Sequence, residues 1–150
     1  MRRWLMVAGA VLLAACTSEL SATELTIDDP RIGAPAGANA AMYFTVQSSA
    51  EDRLTGARTE VASRAELHET VHGDDGTMGM RPVEAFPVGP GQDLVLEPGG
   101  AHVMLIDVDE LAVGETVAVT LVFEEAGEIE VEATVVDPAE TTGDHDHHDH

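Results

Sequence analysis

Histidine and methionine are the residues of this chain whose types and spacing could do specific chemistry. Between residues 17 and 143 the sequence contains only three histidines and four methionines. Most of them fall into two clusters, and the second of these interrupts the apolar run LEPGGAHVMLIDV. The seven residues are His68, His72, His102, Met42, Met78, Met80 and Met104.

The spacing within each cluster places side chains on a common face. His102 and Met104 are two residues apart, as are Met78 and Met80, and alternate residues of a strand point to the same side. His68 precedes the Gly-rich segment HGDDGT, which predicts a turn between RAELHETV and MGMRPVEAF. If these two runs form a hairpin and the His102 strand lies beside it, the two clusters meet.

Two imidazoles and two thioethers favour one metal over others. Thioether sulfur is soft and neutral, so such a set prefers Cu(I) to the harder ions of carboxylate sites. A methionine taken singly more often fills gaps in a core, and a lone histidine is more often a satisfied core residue. The joint pattern of His68, Met80, His102 and Met104 nevertheless favours a Cu(I) site.

The N-terminal sequence MRRWLMVAGAVLLAAC is typical of a secretory signal, with two arginines, a short apolar run and small residues at its end. Residues 13 to 16, Leu-Ala-Ala-Cys, resemble the bacterial lipobox, in which the cysteine is lipidated. The sequence therefore predicts a signal peptide over residues 1–16, a lipid anchor at Cys16 and a tether over residues 17–23. The alternative is an ordinary signal in which Cys16 is incidental. Either way, no cysteine remains for a disulfide or a thiolate ligand.

The chain is strongly acidic. Its formal charge is −21, and removal of the signal leaves five basic residues against 28 acidic ones. The negative electrostatic potential of such a protein repels phosphate groups, which argues against nucleic acid as a partner. The acidity is explained by solubility, and attraction of cations is a secondary benefit.

Short β-prone runs fill the region between the tether and the tail. Nine such runs alternate with turn-rich segments such as GAPAGAN, SSAED and VGPG. Within EIEVEATVV, apolar and polar residues alternate, which predicts a strand with one solvent-exposed face and one buried face. No segment sustains a helical period, so we predict an antiparallel all-β sandwich or barrel of seven to nine strands.

Five segments carry a resemblance to a known family. They are GANAAMYFTVQS, EDRLTGARTEVASRAELHETV, MGMRPVEAF, LEPGGAHVMLIDV and VGETVAVTLVFEEAGEIEVEATVV. Together they resemble the periplasmic copper chaperone family called PCuAC, over about residues 24–136. The family's pattern is a histidine, ten residues, a methionine, twenty-one residues and then His-x-Met.

This sequence departs from that pattern at one place. Residues 81–101 supply the twenty-one residues between Met80 and His102, but residues 69–79 place eleven, not ten, between His68 and Met80. A surface turn can absorb one extra residue, although Met78 could instead enter the copper sphere. Family members often have a further methionine where this chain has His72, which is an auxiliary ligand or a solvated turn residue.

The resemblance implies a cupredoxin-like, Greek-key β-sandwich with a partly exposed Cu(I) site. It also implies delivery of copper for assembly of the binuclear copper centre of cytochrome c oxidase, so the expected partner is its copper-bearing subunit or another copper-transfer protein. The alternative function is a buffer for copper or divalent metals in metal tolerance. The sequence shows no Ser-His-Asp arrangement and no phosphate loop, so we predict no enzymatic activity.

The C-terminal segment from residue 137 onward is expected to be a disordered, acidic, His-rich tail. Histidines alternate there with aspartates, a composition that suits divalent ions such as Cu(II). An added purification tag would usually be an unbroken run of histidines, so the tail is taken as native. The second-site candidates are His145, His147, His148 and His150.

Overall fold

The computed structural model describes residues 23–35 and 37–141, and the regular secondary structure in this part of the chain is almost entirely β-strand. Ten strands are followed by one helical turn, α1 (Pro138–Thr141). The strands are β1 (Leu25–Gly33), β2 (Ala40–Ser48), β3 (Asp52–Arg58), β4 (Ala62–His72), β5 (Met78–Pro82), β6 (Phe86–Val88), β7 (Leu94–Leu96), β8 (Ala101–Val108), β9 (Thr116–Phe123) and β10 (Gly127–Val136).

The strands form one continuous sheet in the order β5-β4-β8-β7-β2-β1-β10-β9-β3-β6, with β8 also pairing with β2. Most neighbours are antiparallel, whereas β1 pairs with β10 in parallel and β7 meets β8 in parallel at one residue pair. The sheet folds over so that β3 contacts β4. The two halves therefore enclose a single core, which confirms the predicted all-β sandwich.

Period-two alternation explains why these segments are strands. In β9 the side chains of Val117, Val119, Leu121 and Phe123 are buried. β-Branched and aromatic residues fit such a half-buried pleated surface. On the site side of the sandwich, Leu67, Val103, Leu105, Met42 and Phe44 fill the same core. Met42 is thus core filler and lies on the opposite side of β2 from Tyr43.

The predicted strand number of seven to nine is too low, because the run MGMRPVEAF contains two strands. β5 ends at Pro82, whose ring removes a backbone N–H that a ladder would use. After this break the chain changes partner. β5 pairs with β4, whereas β6 pairs with β3 at the other end of the sheet.

The predicted disorder from residue 137 onward is wrong for the first residues of that segment. Residues 138–141 form α1, which begins after Asp137, and the Asp137 carboxylate accepts a 2.9 Å bond from the Ala139 amide. The Thr141 side chain is buried, and its methyl group lies against Gly33 of β1. The tail histidines, the signal peptide and Cys16 lie outside the described residues. Among the described residues no helix is long and apolar enough to cross a membrane.

Candidate metal centre

His68 and His102 lie directly opposite each other on the neighbouring strands β4 and β8. Their ring centroids are 5.7 Å apart and the ring planes are inclined by 60°. Leu67, which precedes His68, and Val103, which follows His102, point into the core. Because successive side chains alternate, both imidazoles project from the outer face of the sheet. This face is called the histidine face below.

The His68 ring is oriented by a carboxylate on its own strand. Its Nε2 lies 2.9 Å from Oε2 of Glu66, which is two residues earlier and therefore on the same face. An ionised carboxylate can only accept a hydrogen bond, so Nε2 must carry the proton. The other nitrogen, Nδ1, is buried and has no hydrogen-bond partner among the residues that the structure describes.

The His102 ring shows the complementary arrangement. Its Nδ1 lies 3.3 Å from the Gly100 carbonyl oxygen, which again can only accept. The proton therefore belongs on Nδ1, and Nε2 is the second buried nitrogen without a partner. Only 3% of His102 and 14% of the His68 side chain are exposed. Each imidazole thus has one nitrogen bonded to a protein acceptor and one nitrogen that has no partner within residues 23–35 and 37–141.

Burial keeps His102 in the form that can bind a metal. Burial lowers the pKa of His102 below its usual range, the bond to the Gly100 carbonyl opposes that effect, and the neighbouring His68 adds to it. The neutral imidazole has a free lone pair, so this shift favours ligation. Tyr43 covers the other side of His102, with a centroid separation of 6.3 Å. Burial also raises the pKa of Tyr43, although the charge of Arg31 partly offsets it.

The predicted methionines lie on the same face at different distances from the histidine pair. Met104 follows His102 by two residues and faces Glu66 across β4 and β8. On β5, Met80 faces Thr70 and Met78 faces His72. Met80 is therefore diagonal to His68, and Met78 is two residue pairs further along the hairpin. Their exposed fractions, 60% for Met80 and 69% for Met78, are high for large apolar side chains.

The β4–β5 hairpin absorbs the extra residue in its turn. Five successive cross-strand pairs run without a break from His68 with Pro82 to His72 with Met78. The turn is closed by a 2.8 Å bond from the Gly73 amide to the Thr77 carbonyl, and Gly76 has a φ of 81° that favours glycine. The length of HGDDGT therefore does not shift Met80 to the other face. His72 lies exposed at the far end of the hairpin.

Sequence reasoning missed the groups that surround the histidines. Glu66, Arg64, Tyr43 and the Gly100 carbonyl were not among the predicted site residues. The only sign of them in the sequence is the position of Arg64 and Glu66, which are four and two residues before His68 and therefore lie on the same face of β4. In the described part of the chain, no group of three or more His, Cys, Asp or Glu side chains converges as a metal site. The structure therefore brings two imidazoles together, and the predicted methionines Met80 and Met104 lie on the same face.

Comparison with known sequences identifies a lipoprotein family. The matching family model is described as "Putative lipoprotein LpqE-like" and covers residues 25–135. A curated relative, "Putative lipoprotein Lxx21020" from Leifsonia xyli subsp. xyli (strain CTCB07), is 33% identical over 85 residues. The aligned part is 56% of this chain and 51% of the relative, so this chain spans about half the length of the curated protein.

Comparison with solved structures identifies PCuAC domains. The copper-bound PCuAC domain from PmoF2 is 30% identical, with a TM-score of 0.64 over 76% of this chain and 93% of that domain. Apo-DR1885 from Deinococcus radiodurans is 28% identical, with a TM-score of 0.59 over 93% of this chain and 99% of that protein. Its CuI form is 29% identical, with a TM-score of 0.57 and 83% of both chains covered. The fold is therefore cupredoxin-like, and the resemblance read from the sequence is confirmed.

Proposed function

The chain belongs to the LpqE-like lipoprotein family and has the PCuAC fold, and on this basis we propose that it is an extracytoplasmic copper chaperone. In this proposal one Cu(I) is held by His68, Met80, His102 and Met104 and is passed to a recipient by ligand exchange. Copper is the cargo of the protein.

The observation that carries the proposal is the pair of buried ring nitrogens without partners. The two atoms are His68 Nδ1 and His102 Nε2, and they belong to adjacent rings. The other nitrogen of each ring is hydrogen-bonded, to Glu66 in His68 and to the Gly100 carbonyl in His102. Metal-binding histidines usually donate their other N–H to a carboxylate or a carbonyl. A buried polar atom without a partner costs about 1–3 kcal/mol, and a metal ion bound between the rings would satisfy both atoms at once.

Ligand chemistry supports monovalent copper as the cargo. Met104 adjoins His102 on the histidine face and Met80 lies diagonal to His68, so each imidazole has a thioether beside it. Neutral soft donors stabilise Cu(I) and give little to Zn(II) or Cu(II). Met80 is preferred to Met78 because it lies two residue pairs closer to His68. Four protein ligands also leave no open position for a substrate, which argues against an enzyme.

Exposure of the methionines supports transfer. Met80 lies on β5, where every residue is exposed, so the ligands of a partner can reach the metal from this side. A recipient with stronger ligands would displace the thioether first and the buried imidazoles afterwards. We propose that the recipient is the copper-bearing subunit of cytochrome c oxidase or another copper-transfer protein. Lipidation of Cys16 would hold the chaperone at the outer side of the membrane.

The site is tested by anaerobic titration of Cu(I) against a colorimetric chelator. We expect His102→Ala combined with Met104→Leu to weaken Cu(I) binding by at least about tenfold. The matched control is His72→Ala combined with Met78→Leu, which changes the same residue types at the far end of the hairpin. Equal affinities for the two double variants would contradict the proposed site.

Transfer is tested separately by mixing the Cu(I)-loaded protein with a purified apo copper domain of cytochrome c oxidase. The expected result is appearance of the binuclear copper centre in the recipient. A protein that binds Cu(I) through these residues but loads no recipient would favour the alternative role of a metal buffer.

A further inference from the structure

Glu66 lies on the histidine face, next to the proposed ligands. It precedes His68 by two residues and faces Met104 across the strand pair. Its two oxygens contact different partners. Oε1 accepts a 2.7 Å bond from Nε of Arg64, and Oε2 accepts the 2.9 Å bond from Nε2 of His68.

With the proposed copper site as its premise, we propose that Glu66 is a positioning residue that makes His68 an Nδ1 ligand. We propose further that Arg64 holds the Glu66 carboxylate away from the metal and thereby sets the specificity of the site. Neither residue is a proposed copper ligand.

The first part follows from the difference between the two histidines. The Gly100 carbonyl that orients His102 belongs to the backbone, so its position is fixed by the fold. The acceptor that orients His68 is a side chain, and without it the free imidazole could place its proton on either nitrogen. A proton on Nδ1 would block the nitrogen that has no other partner. Glu66 therefore selects the tautomer that can bind metal.

The second part follows from the position of the carboxylate. Two imidazoles and one carboxylate form a common ligand set for zinc and other divalent ions. Glu66 is close enough to His68 to complete such a set with the two imidazoles. Both of its oxygens, however, already accept hydrogen bonds. The site thereby keeps its soft, neutral ligands.

The first part is tested on the full chain with ¹⁵N-labelled histidine, by NMR of the apo protein at a pH where the imidazoles are neutral. We expect His68 in the wild-type protein to carry its proton on Nε2. In Glu66→Gln the amide can accept from or donate to the ring, so both tautomers should appear. We also expect Cu(I) affinity in that variant to fall by about tenfold or more.

The matched control for this test is Glu69→Gln. Glu69 is on the same strand and pairs with Arg81 of β5, but it lies on the opposite face from His68. Its replacement should leave both the His68 tautomer and Cu(I) affinity at wild-type values. A wild-type tautomer in Glu66→Gln, or unchanged Cu(I) affinity, would overturn the positioning role. If copper does not bind at this site at all, His102→Ala will leave affinity unchanged, whereas the NMR result in the apo protein still reports on Glu66.

The specificity role is tested with Arg64→Gln and Zn(II) as the probe. The Arg64–Glu66 pair is partly exposed, and such pairs are weak, so Zn(II) affinity should rise by a modest factor of about two to five. The gain should vanish in Arg64→Gln combined with Glu66→Gln, because the freed carboxylate is then absent. Arg81→Gln removes the partner of Glu69 and is the control. A Zn(II) affinity equal to that of the wild-type protein would overturn this role of Arg64.

Discussion

His68 and His102 face each other across β4 and β8 with their ring centroids 5.7 Å apart, and each ring has one buried nitrogen without a hydrogen-bond partner. A buried nitrogen without a partner costs free energy in the apo protein. Buried polar groups are nearly always paired, and those that are not are commonly found at functional sites. The histidine pair is thus the place where stability and binding should respond in opposite directions.

Replacing His102 by leucine should stabilise the apo protein. Leucine fills a similar volume without leaving a buried nitrogen unpaired. It also loses the bond to the Gly100 carbonyl, which still accepts from Thr70, so the free energy of unfolding should rise by about 1 kcal/mol. Urea denaturation of metal-free protein measures this change. Exposed His72→Leu is the control and should stay within about 0.5 kcal/mol of wild type. A clear loss of stability in His102→Leu would mean that the ring makes favourable contacts which outweigh the unpaired nitrogen.

Stability of the apo protein should fall in mild acid because of His102. Its pKa is lowered in the folded state by burial, so as the pH drops the unfolded chain takes up this proton first. The free energy of unfolding should decline as the pH falls from about 6.5 toward the lower folded pKa, by at most about 1.4 kcal/mol per pH unit. The contribution is the difference between wild type and His102→Leu, measured by denaturation between pH 7.5 and pH 5. Parallel pH curves for the two proteins would contradict it.

The two methionines of β5 should differ in their effect on copper. Met80→Leu removes the thioether that lies diagonal to His68 and should weaken Cu(I) binding by at least about tenfold. Met78→Leu, two residue pairs further along the hairpin, should have a much smaller effect. Anaerobic chelator competition with both variants makes the comparison. A larger effect for Met78→Leu would mean that Met78, and not Met80, is the ligand that β5 supplies.

Asp52 should contribute strongly to folding although it lies outside the proposed site. Its buried carboxylate accepts bonds of 2.7 to 2.9 Å from the amides of Arg53, Glu125 and Ala126, which tie β3 to the β9–β10 turn. Asp52→Ala leaves these amides without their charged acceptor, and we expect a loss of about 3 kcal/mol or more. Exposed Glu130→Ala is the control. If both variants unfold at the same urea concentration, solvent replaces the carboxylate without cost.

Removal of residues 142–150 should separate the proposed Cu(I) site from the His-rich tail. Truncation after Thr141 keeps the buried Thr141 side chain and deletes all four tail histidines. We expect Cu(I) affinity to remain at the wild-type value and binding of Cu(II) to decrease, because imidazole and carboxylate ligands suit divalent ions. Equilibrium titrations with each ion measure both. Loss of Cu(I) affinity on truncation would show that the tail contributes to the principal site.

Much of the fold could be predicted because the local signals agree with one another. Alternation in β9 and β10 indicated strands with one buried face, and the Gly-rich segment 73–77 correctly indicated the β4–β5 turn. The strand count was wrong at Pro82, because a run of β-prone residues does not show where a chain changes partner. The helical turn at residues 138–141 was missed because its order depends on packing of Thr141 against Gly33, which is a contact between distant parts of the sequence.

For the candidate site, the sequence by itself determined the donors and the faces they occupy. Residue types limited the chemistry to imidazole and thioether, and the period-two rule placed His102 with Met104 and Met78 with Met80. Only the tertiary structure decided that His68 faces His102, that Met80 lies nearer to them than Met78, and that Glu66 and the Gly100 carbonyl orient the two rings. Strand register determines all three relationships, and register arises from pairing between segments far apart in the chain, which no local pattern specifies.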